Sequence, residues 1–372
     1  MVGELKVIDR PRTVLMTADA VGGVWSYAVG LCRSLPETRF VLATMGPRPR
    51  QAQRDAIREL ENVILVESAY RLEWMTDGVV DFTESRDWLI DLIQRHDADV
   101  VHVNGYAHAR LGIDCPVVVV AHSDVLSWWE AVHKSAAPPE WAGYRRQVIA
   151  GLTAAARVVA PTAAALADLE RHYAAPASQG VVISNGVDPA AFPAIEKLPV
   201  VLAAGRLWDA AKNLAALDAA APGLVWPVEI AGELEHPDGG LATYAHVRLL
   251  GRLTPVEMAR RLGSARIFAA PTRYEPFGLA ILEAAAAGCA LVLGDIPSLR
   301  ENWDGAARFV NPDDPPSLHA TIKALIVNPE ERARLAAAAR ARARRFSVDR
   351  MARAYAALYH DMMRSPAILE PA

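Results

Sequence analysis

The chain has 372 residues and is 52% hydrophobic, long for one ordinary core and well supplied for two α/β domains. A formal net charge of −4 gives no global attraction to nucleic acid or to a strongly anionic partner, and three scattered cysteines in apolar surroundings (Cys32, Cys115, Cys289) suit reduced core residues rather than a disulfide framework. With no secretory apolar core at the start and no run of about 18 apolar residues anywhere, the expectation is a soluble cytoplasmic protein, or one at the inner face of the membrane with only peripheral contact.

Short apolar runs alternate with helical patterns along the chain, which predicts parallel sheets covered by helices. Residues 13–16, 40–43, 63–66, 100–103, 117–120, 158–160 and 181–183 predict the strands of a first domain. A second series follows at 200–204, 228–231, 247–250, 267–270 and 290–293. The Pro- and Ala-rich stretch 188–199, anchored by Phe192, separates them, so domains of 1–190 and 191–345 are expected. Beyond Pro312 the pattern is helical. One helix opens at Pro329-Glu330-Glu331 and ends among Arg340, Arg342, Arg344 and Arg345, charges that complement its dipole; a tail of 346–372 carries the last helix.

The stretch Arg273-Tyr274-Glu275-Pro276-Phe277-Gly278-Leu279-Ala280-Ile281-Leu282-Glu283 places two carboxylates eight positions apart. The apolar run before it reads as a strand, 271–277 as a loop, and 278–287 as a helix stopped by Gly288. The free amides that start such a helix collect at the carboxyl end of a parallel sheet, where they hold an anion. Glu283, among Leu, Ile and Ala, is costly to bury unless hydroxyl or amide donors satisfy it. A ligand with hydroxyls at both ends and phosphates between, such as a nucleoside diphosphate sugar, fits that layout.

Other residues fall at the same edge. Arg206 follows the strand 200–204 and Lys212 comes six positions later, so both can converge on a pyrophosphate, supplying fixed positive charge for a departing diphosphate; the bland alternative is two solvated charges. Gly22 and Gly23 precede a helical pattern and let main chain approach phosphate and acceptor, but they lack the full G-x-G-x-x-G spacing of a nicotinamide site. His122 ends its strand at the carboxyl edge, where it can contact the sugar or serve as a core histidine. Asn104, Tyr106 and His108, just after the strand 100–103, touch the acceptor or form a structural loop, and Trp25 at the head of the first helix is a further candidate for acceptor contact. Trp128, Trp129 and Trp141 form an acceptor platform or a packed lid. Arg48, Arg50, Arg54 and Arg58 could meet anionic lipid, although Asp55, Glu59 and Glu61 dilute them towards a solvated helix face. Asp97-Ala98-Asp99 imitates a metal-binding pair but precedes its strand, at the wrong end of the sheet, so no metal site is expected.

The Glu-x7-Glu pattern with Phe-Gly-Leu after the first Glu resembles family 4 of the retaining glycosyltransferases. Gly205-Arg206-Leu207 with Lys212-Asn213, Leu250-Gly251-Arg252-Leu253, Ser184-Asn185-Gly186-Val187-Asp188, Gly22-Gly23 and Ala121-His122-Ser123 follow that family's order over nearly the whole chain. The resemblance implies a GT-B architecture: an α/β protein of two facing Rossmann-like domains with an interdomain cleft, and a C-terminal helix crossing back to the first domain. It implies transfer, with retention and without metal or cofactor, from a UDP-, GDP- or ADP-sugar to a hydroxyl of a glycan, glycolipid or small molecule, in glycan or polysaccharide biosynthesis. By the same resemblance Glu283 takes the ribose diol and Glu275 the sugar hydroxyls. Phe277, Gly278 and Leu279 offer amides, Gly251 and Leu253 flank the base, and His122 positions the sugar while the leaving phosphate accepts the proton. His122, Arg206, Lys212 and Glu275 form the expected catalytic set. A silent nucleotide-sugar-binding subunit and a phosphorylase or epimerase are the alternatives.

Overall fold

The computed structural model describes residues 11–20, 22–75, 82–192, 195–234 and 243–364. The first domain runs β1 (Thr13–Asp19), α1 (Gly23–Ser34), β2 (Arg39–Met45), α2 (Gln51–Arg58), β3 (Val63–Glu67), α3 (Phe82–His96), β4 (Val100–Val103), β5 (Val117–Val120), α4 (Val125–His133), α5 (Ala142–Ala154), β6 (Arg157–Ala160), α6 (Ala163–Tyr173) and β7 (Gly180–Val182). The second runs β8 (Leu198–Ala204), α7 (Leu214–Ala220), β9 (Val228–Ala231), β10 (Arg248–Gly251), α8 (Pro255–Ser264), β11 (Ala265–Ala270), α9 (Leu279–Ala286), β12 (Ala290–Gly294), α10 (Pro297–Trp303), β13 (Ala307–Val310), α11 (Pro315–Val327) and α12 (Pro329–Ala343), and α13 (Val348–Arg364) is the last of the described elements.

Local sequence explains these elements. β5 is four valines, all buried, as expected for a strand covered on both faces. Asp124, Thr162, Asp314 and Asn328 cap α4, α6, α11 and α12 with their side chains, and Thr254 with Glu257 forms a capping box ahead of Pro255 in α8.

Both sheets are parallel, in the orders β3-β2-β1-β4-β5-β6-β7 and β10-β9-β8-β11-β12-β13. Strand order reverses between β1 and β4 and again between β8 and β11, so each domain has a crevice at its carboxyl edge. β13 was absent from the sequence expectation. Its four residues are broken by Arg308, which reaches Glu331 at 2.5 Å from an edge strand, so no apolar run marks it.

Two cores sandwich each sheet. Met351, Tyr355, Tyr359 and Met362 of α13 belong to a core of the first domain, together with Val14, Met16 and Tyr27. The outgoing and returning chains meet where Val187 N donates to Phe346 O and Val348 N donates to Val187 O, each at 3.1 Å. Gly186 makes this approach possible, because a Cβ there would lie 2.4 Å from Ser347 O. Among the described residues no helix is long and apolar enough to cross a membrane.

Gly186→Ala should therefore lower unfolding stability by about 2–4 kcal/mol, the scale of overpacking against a fixed backbone. Urea denaturation reads this directly, and an unchanged midpoint would mean the two segments separate at no cost.

Candidate active site

The second domain's contribution begins where β8 ends. From Gly205 the chain turns through Arg206 to Lys212, closed by Asp209 N to Arg206 O at 3.2 Å and Lys212 N to Asp209 O at 2.9 Å. Asp209 organises this turn: Oδ2 accepts from Arg206 Nη2 at 2.7 Å, and Oδ1 accepts from Ala211 N at 3.0 Å and from Trp128 Nε1 of α4 at 3.1 Å. Burial raises the Asp209 pKa, but the charges of Arg206 and Lys212 and the bonds from Trp128 and Arg206 outweigh it, leaving the group below its ordinary value and ionised. Arg206 spends one donor on this bond, is 40% exposed, and lies over the Trp208 ring at 5.0 Å. Lys212 Nζ donates to Glu275 Oε2 at 2.5 Å. Sequence-predicted Arg206, Lys212 and Glu275 are thus brought together.

Gly278 caps α9 with φ +88°, a conformation that favours glycine, and a Cβ there would press Ile281 at 2.8 Å. Among the described residues nothing accepts from the amides of Phe277, Gly278 or Leu279, the arrangement that suits an anion. The Phe277 ring is buried against Phe346, centroids 5.6 Å apart, so only its main chain serves the cleft. Glu283, further along α9, receives no hydrogen bond or ion pair from any described residue. Burial pushes its carboxyl pKa up to about 7. At the base turn, Gly251 has φ +68° and its carbonyl accepts from Gly232 N at 2.9 Å, while Leu253 is part-buried beside exposed Arg252.

The first domain faces these groups. Gly22 heads α1 at φ +78°, and a Cβ on Gly23 would stand 3.3 Å from Leu279 Cδ1, so the glycine turn and the start of α9 oppose each other across the cleft. His122 lies just past β5. Its Nε2 is 2.8 Å from Asn104 Oδ1, and Tyr27 stands edge-on to its ring at 4.6 Å. Burial lowers the His122 pKa to about 4, keeping the imidazole neutral.

Three acceptor candidates change role. Trp25 is 7% exposed and packs in the core beneath the glycine turn. Tyr106 is also buried, its hydroxyl bonded to Ser123 O at 3.0 Å and its ring stacked on Tyr173. Asn104 is committed to Thr17 and to two histidines. Aromatic residues next to a loop read as ligand platforms in sequence, whereas here their rings fill the layer under it. His108 is likewise internal, bonded to Ser85 at 2.8 Å. Trp141 packs edge-on against Tyr144, Trp129 lies tilted against His133 at 4.2 Å, and Trp128 is the one of these three tryptophans with a hydrogen bond to the other domain among the described residues. Three of the four arginines in the 48–58 stretch are paired: Arg54 with Glu67 at 2.6 and 2.8 Å, Arg50 with Glu233 at 3.2 Å and Arg58 with Asp55 at 2.8 Å. Asp99 caps the start of β1 through Arg12 N and Thr13 N. Among the described residues no three His, Cys, Asp or Glu side chains gather as a metal would require.

Residues unremarked in the sequence join the two halves. Tyr274 donates to Asp124 Oδ2 at 3.3 Å and accepts from Asp124 N at 3.2 Å, and Thr162 Oγ1 donates to Pro276 O at 2.9 Å. Glu301 of α10 accepts from Ala163 N and Ala164 N, each at 2.9 Å, and so caps α6 from the other domain. Tyr274 and Pro276 flank Glu275, and Asp209 lies three residues after Arg206. Those adjacencies were the available signal.

Two parallel-sheet domains with their carboxyl edges facing, tied by a helix that crosses back, define the GT-B fold. Glycosyltransferase Family 4 matches residues 21–191 and Glycosyl transferases group 1 matches residues 198–328, and the chain belongs to this family. Phosphatidyl-myo-inositol mannosyltransferase of Mycolicibacterium smegmatis is 28% identical over 358 residues, spanning 88% of this chain and 87% of that protein. Glycogen synthase of Mycobacterium tuberculosis is 33% identical over 180 residues, 43% of each chain. Among solved structures, sucrose-phosphate synthase of Thermosynechococcus elongatus superposes with TM-score 0.76 at 17% identity, covering 94% of this chain and 99% of that one. HepE of Anabaena in complex with UDP-glucose superposes with TM-score 0.72 at 16% identity, with 94% and 99% covered.

The raised Glu283 pKa fixes the sign of a stability effect. Between about 4.5 and about 7 the native state binds more protons at this group than the unfolded chain, so its contribution turns unfavourable as pH rises. Glu283→Gln should consequently gain stability relative to wild type, on the order of 1–3 kcal/mol, between pH 5 and pH 8. Urea unfolding at the two pH values tests this; a pH-independent difference would contradict the burial of an ionisable group here.

Proposed function

We propose that the protein transfers a sugar from a nucleoside diphosphate sugar to a hydroxyl acceptor with retention of anomeric configuration, using protein cations and main-chain amides rather than a metal to hold the diphosphate. The carrying observation is Glu283: a part-buried carboxylate that receives no hydrogen bond from any described residue, on the helix whose opening amides are free and whose leading loop Lys212 joins through Glu275. A ribose diol supplies two donors to one such carboxylate. HepE, which shares the fold, was solved with UDP-glucose, and this supports the same class of donor.

In this reading the pyrophosphate lies against the amides of Phe277, Gly278 and Leu279, with Arg206 and Lys212 beside it and Gly22-Gly23 opposite. The base sits at the Gly251–Leu253 turn, and Glu275 accepts from sugar hydroxyls while steadied by Lys212. As the sugar–phosphate bond breaks, negative charge grows on the diphosphate, and fixed cations favour that state over the ground state. The acceptor oxygen adds to the anomeric carbon on the face the diphosphate leaves, and a phosphate oxygen takes the acceptor proton. His122, neutral, positions the sugar. The acceptor is a glycan, glycolipid or small molecule met in the cytoplasm or at the inner face of the membrane during glycan assembly. The pairing of Arg50, Arg54 and Arg58 with acids argues against α2 as a dedicated site for anionic lipid.

Glu283→Ala should weaken UDP or GDP binding about 10–100-fold, the scale of lost charge-assisted hydrogen bonds. Arg206→Ala should lower kcat about 100–1,000-fold with a smaller effect on donor binding. Calorimetry and donor turnover with a chelator present distinguish these effects. Wild-type behaviour of both variants, or activity abolished by chelation and restored by manganese, would overturn the assignment.

A further inference from the structure

Behind His122 runs a line of buried polar groups reaching into the crossing helix. Tyr359 of α13 and His102 of β4 are both fully buried, and the Tyr359 hydroxyl lies 2.6 Å from His102 Nδ1. His102 Nε2 is 3.2 Å from Asn104 Oδ1, and the same oxygen is 2.8 Å from His122 Nε2. Tyr27 touches both rings: its hydroxyl is 3.3 Å from His102 Nε2, and its own ring meets His122 edge-on.

One anchor sets the direction of every proton. Asn104 Nδ2 is 2.6 Å from the carbonyl oxygen of Thr17, which can only accept, while Asn104 N donates to Thr17 Oγ1 at 2.9 Å. The amide NH₂ therefore faces Thr17 and Oδ1 faces the histidines. A carbonyl oxygen with two lone pairs accepts twice and donates nothing, so both imidazoles carry hydrogen on Nε2. Burial keeps both rings neutral, lowering His102 to about 3 and His122 to about 4. Each Nδ1 is accordingly bare. That of His102 accepts the Tyr359 O–H, and that of His122 receives no hydrogen bond from any described residue.

We infer that Tyr359, His102 and Asn104 are positioning residues that hold His122 in its Nε2–H form, so that its bare Nδ1 accepts a hydroxyl hydrogen of the transferred sugar. The inference rests on the functional reading above for where the sugar lies. With the opposite tautomer, Nδ1–H would donate to that hydroxyl instead of accepting from it, and Asn104 Oδ1 would face a bare Nε2 with no hydrogen between them. The relay thus ties the sugar-facing nitrogen of the first domain to the last helix of the chain, 257 residues from His102 to Tyr359.

Nitrogen-15 NMR of histidine-labelled protein reads the tautomer without turnover, with His102 and His122 assigned by the signals lost in His102→Gln and His122→Gln. The wild type should show protonated Nε2 and unprotonated Nδ1 at both rings. Tyr359→Phe, which keeps the packed ring, and Asn104→Leu should mix the His122 tautomers and lower sugar transfer about tenfold, while UDP and GDP affinity stays within about twofold. A wild-type His122 with Nδ1–H overturns the inference. So does a variant in which tautomer and turnover fail to move together. Failure of the wild type to bind UDP, GDP or ADP would instead refute the donor reading, and the histidine spectra would still decide whether the relay exists.

Discussion

All strands of each sheet point the same way, and a parallel sheet gathers its helix starts, with their unsatisfied N–H groups, along a single edge. Two such edges on one chain make a site only if they are held face to face. The pairing of Val187 with Phe346 and Val348, permitted by Gly186, sets the hinge between them. Contacts from Tyr274, Pro276 and Glu301 then bring the loops of the second domain onto α4 and α6 of the first. The opposition of Gly23 to Leu279 is the result: main chain from one domain and a helix start from the other bound the same space.

Three carboxylates in that space illustrate how environment assigns roles to one functional group. Asp209, bonded to a guanidinium, an indole and an amide, is framework; its pKa is depressed because those partners outweigh its burial. Glu275 is shared with Lys212 and so keeps one oxygen for another partner. Glu283 is part-buried with no donor among the described residues, the least favourable of the three for the protein alone. Proteins retain such a group where a ligand supplies what the fold does not.

Much of this was legible in the sequence because it is local. The β8–Arg206 and β11–α9 units are continuous segments whose apolar runs, glycines and charges declare strand, turn and helix in order. The unread parts depend on distance along the chain. His102 sits in a Val-Val-His-Val strand, where nothing separates a relay histidine from a core one until Asn104 and Tyr359 are placed beside it. Tyr274 meets Asp124 across 150 residues. Trp25 and Tyr106 misled for the complementary reason: exposure is a property of the assembled layers, and aromatic character near a loop does not determine it. β13 escaped because a four-residue strand containing Arg308 has no periodicity to detect.

The placement of α13 bears on the order in which the molecule assembles. The layer holding Val14, Met16 and Tyr27 is completed by Met351, Tyr355, Tyr359 and Met362, so this core of the first domain lacks those side chains until α13 has been made. For most of synthesis that apolar face must be shielded by other means, and biogenesis rather than equilibrium stability becomes the step most sensitive to damage near the carboxyl terminus. Loss of α13 would thus uncover a core that holds Val14, Met16 and Tyr27, more than 300 positions earlier in the chain.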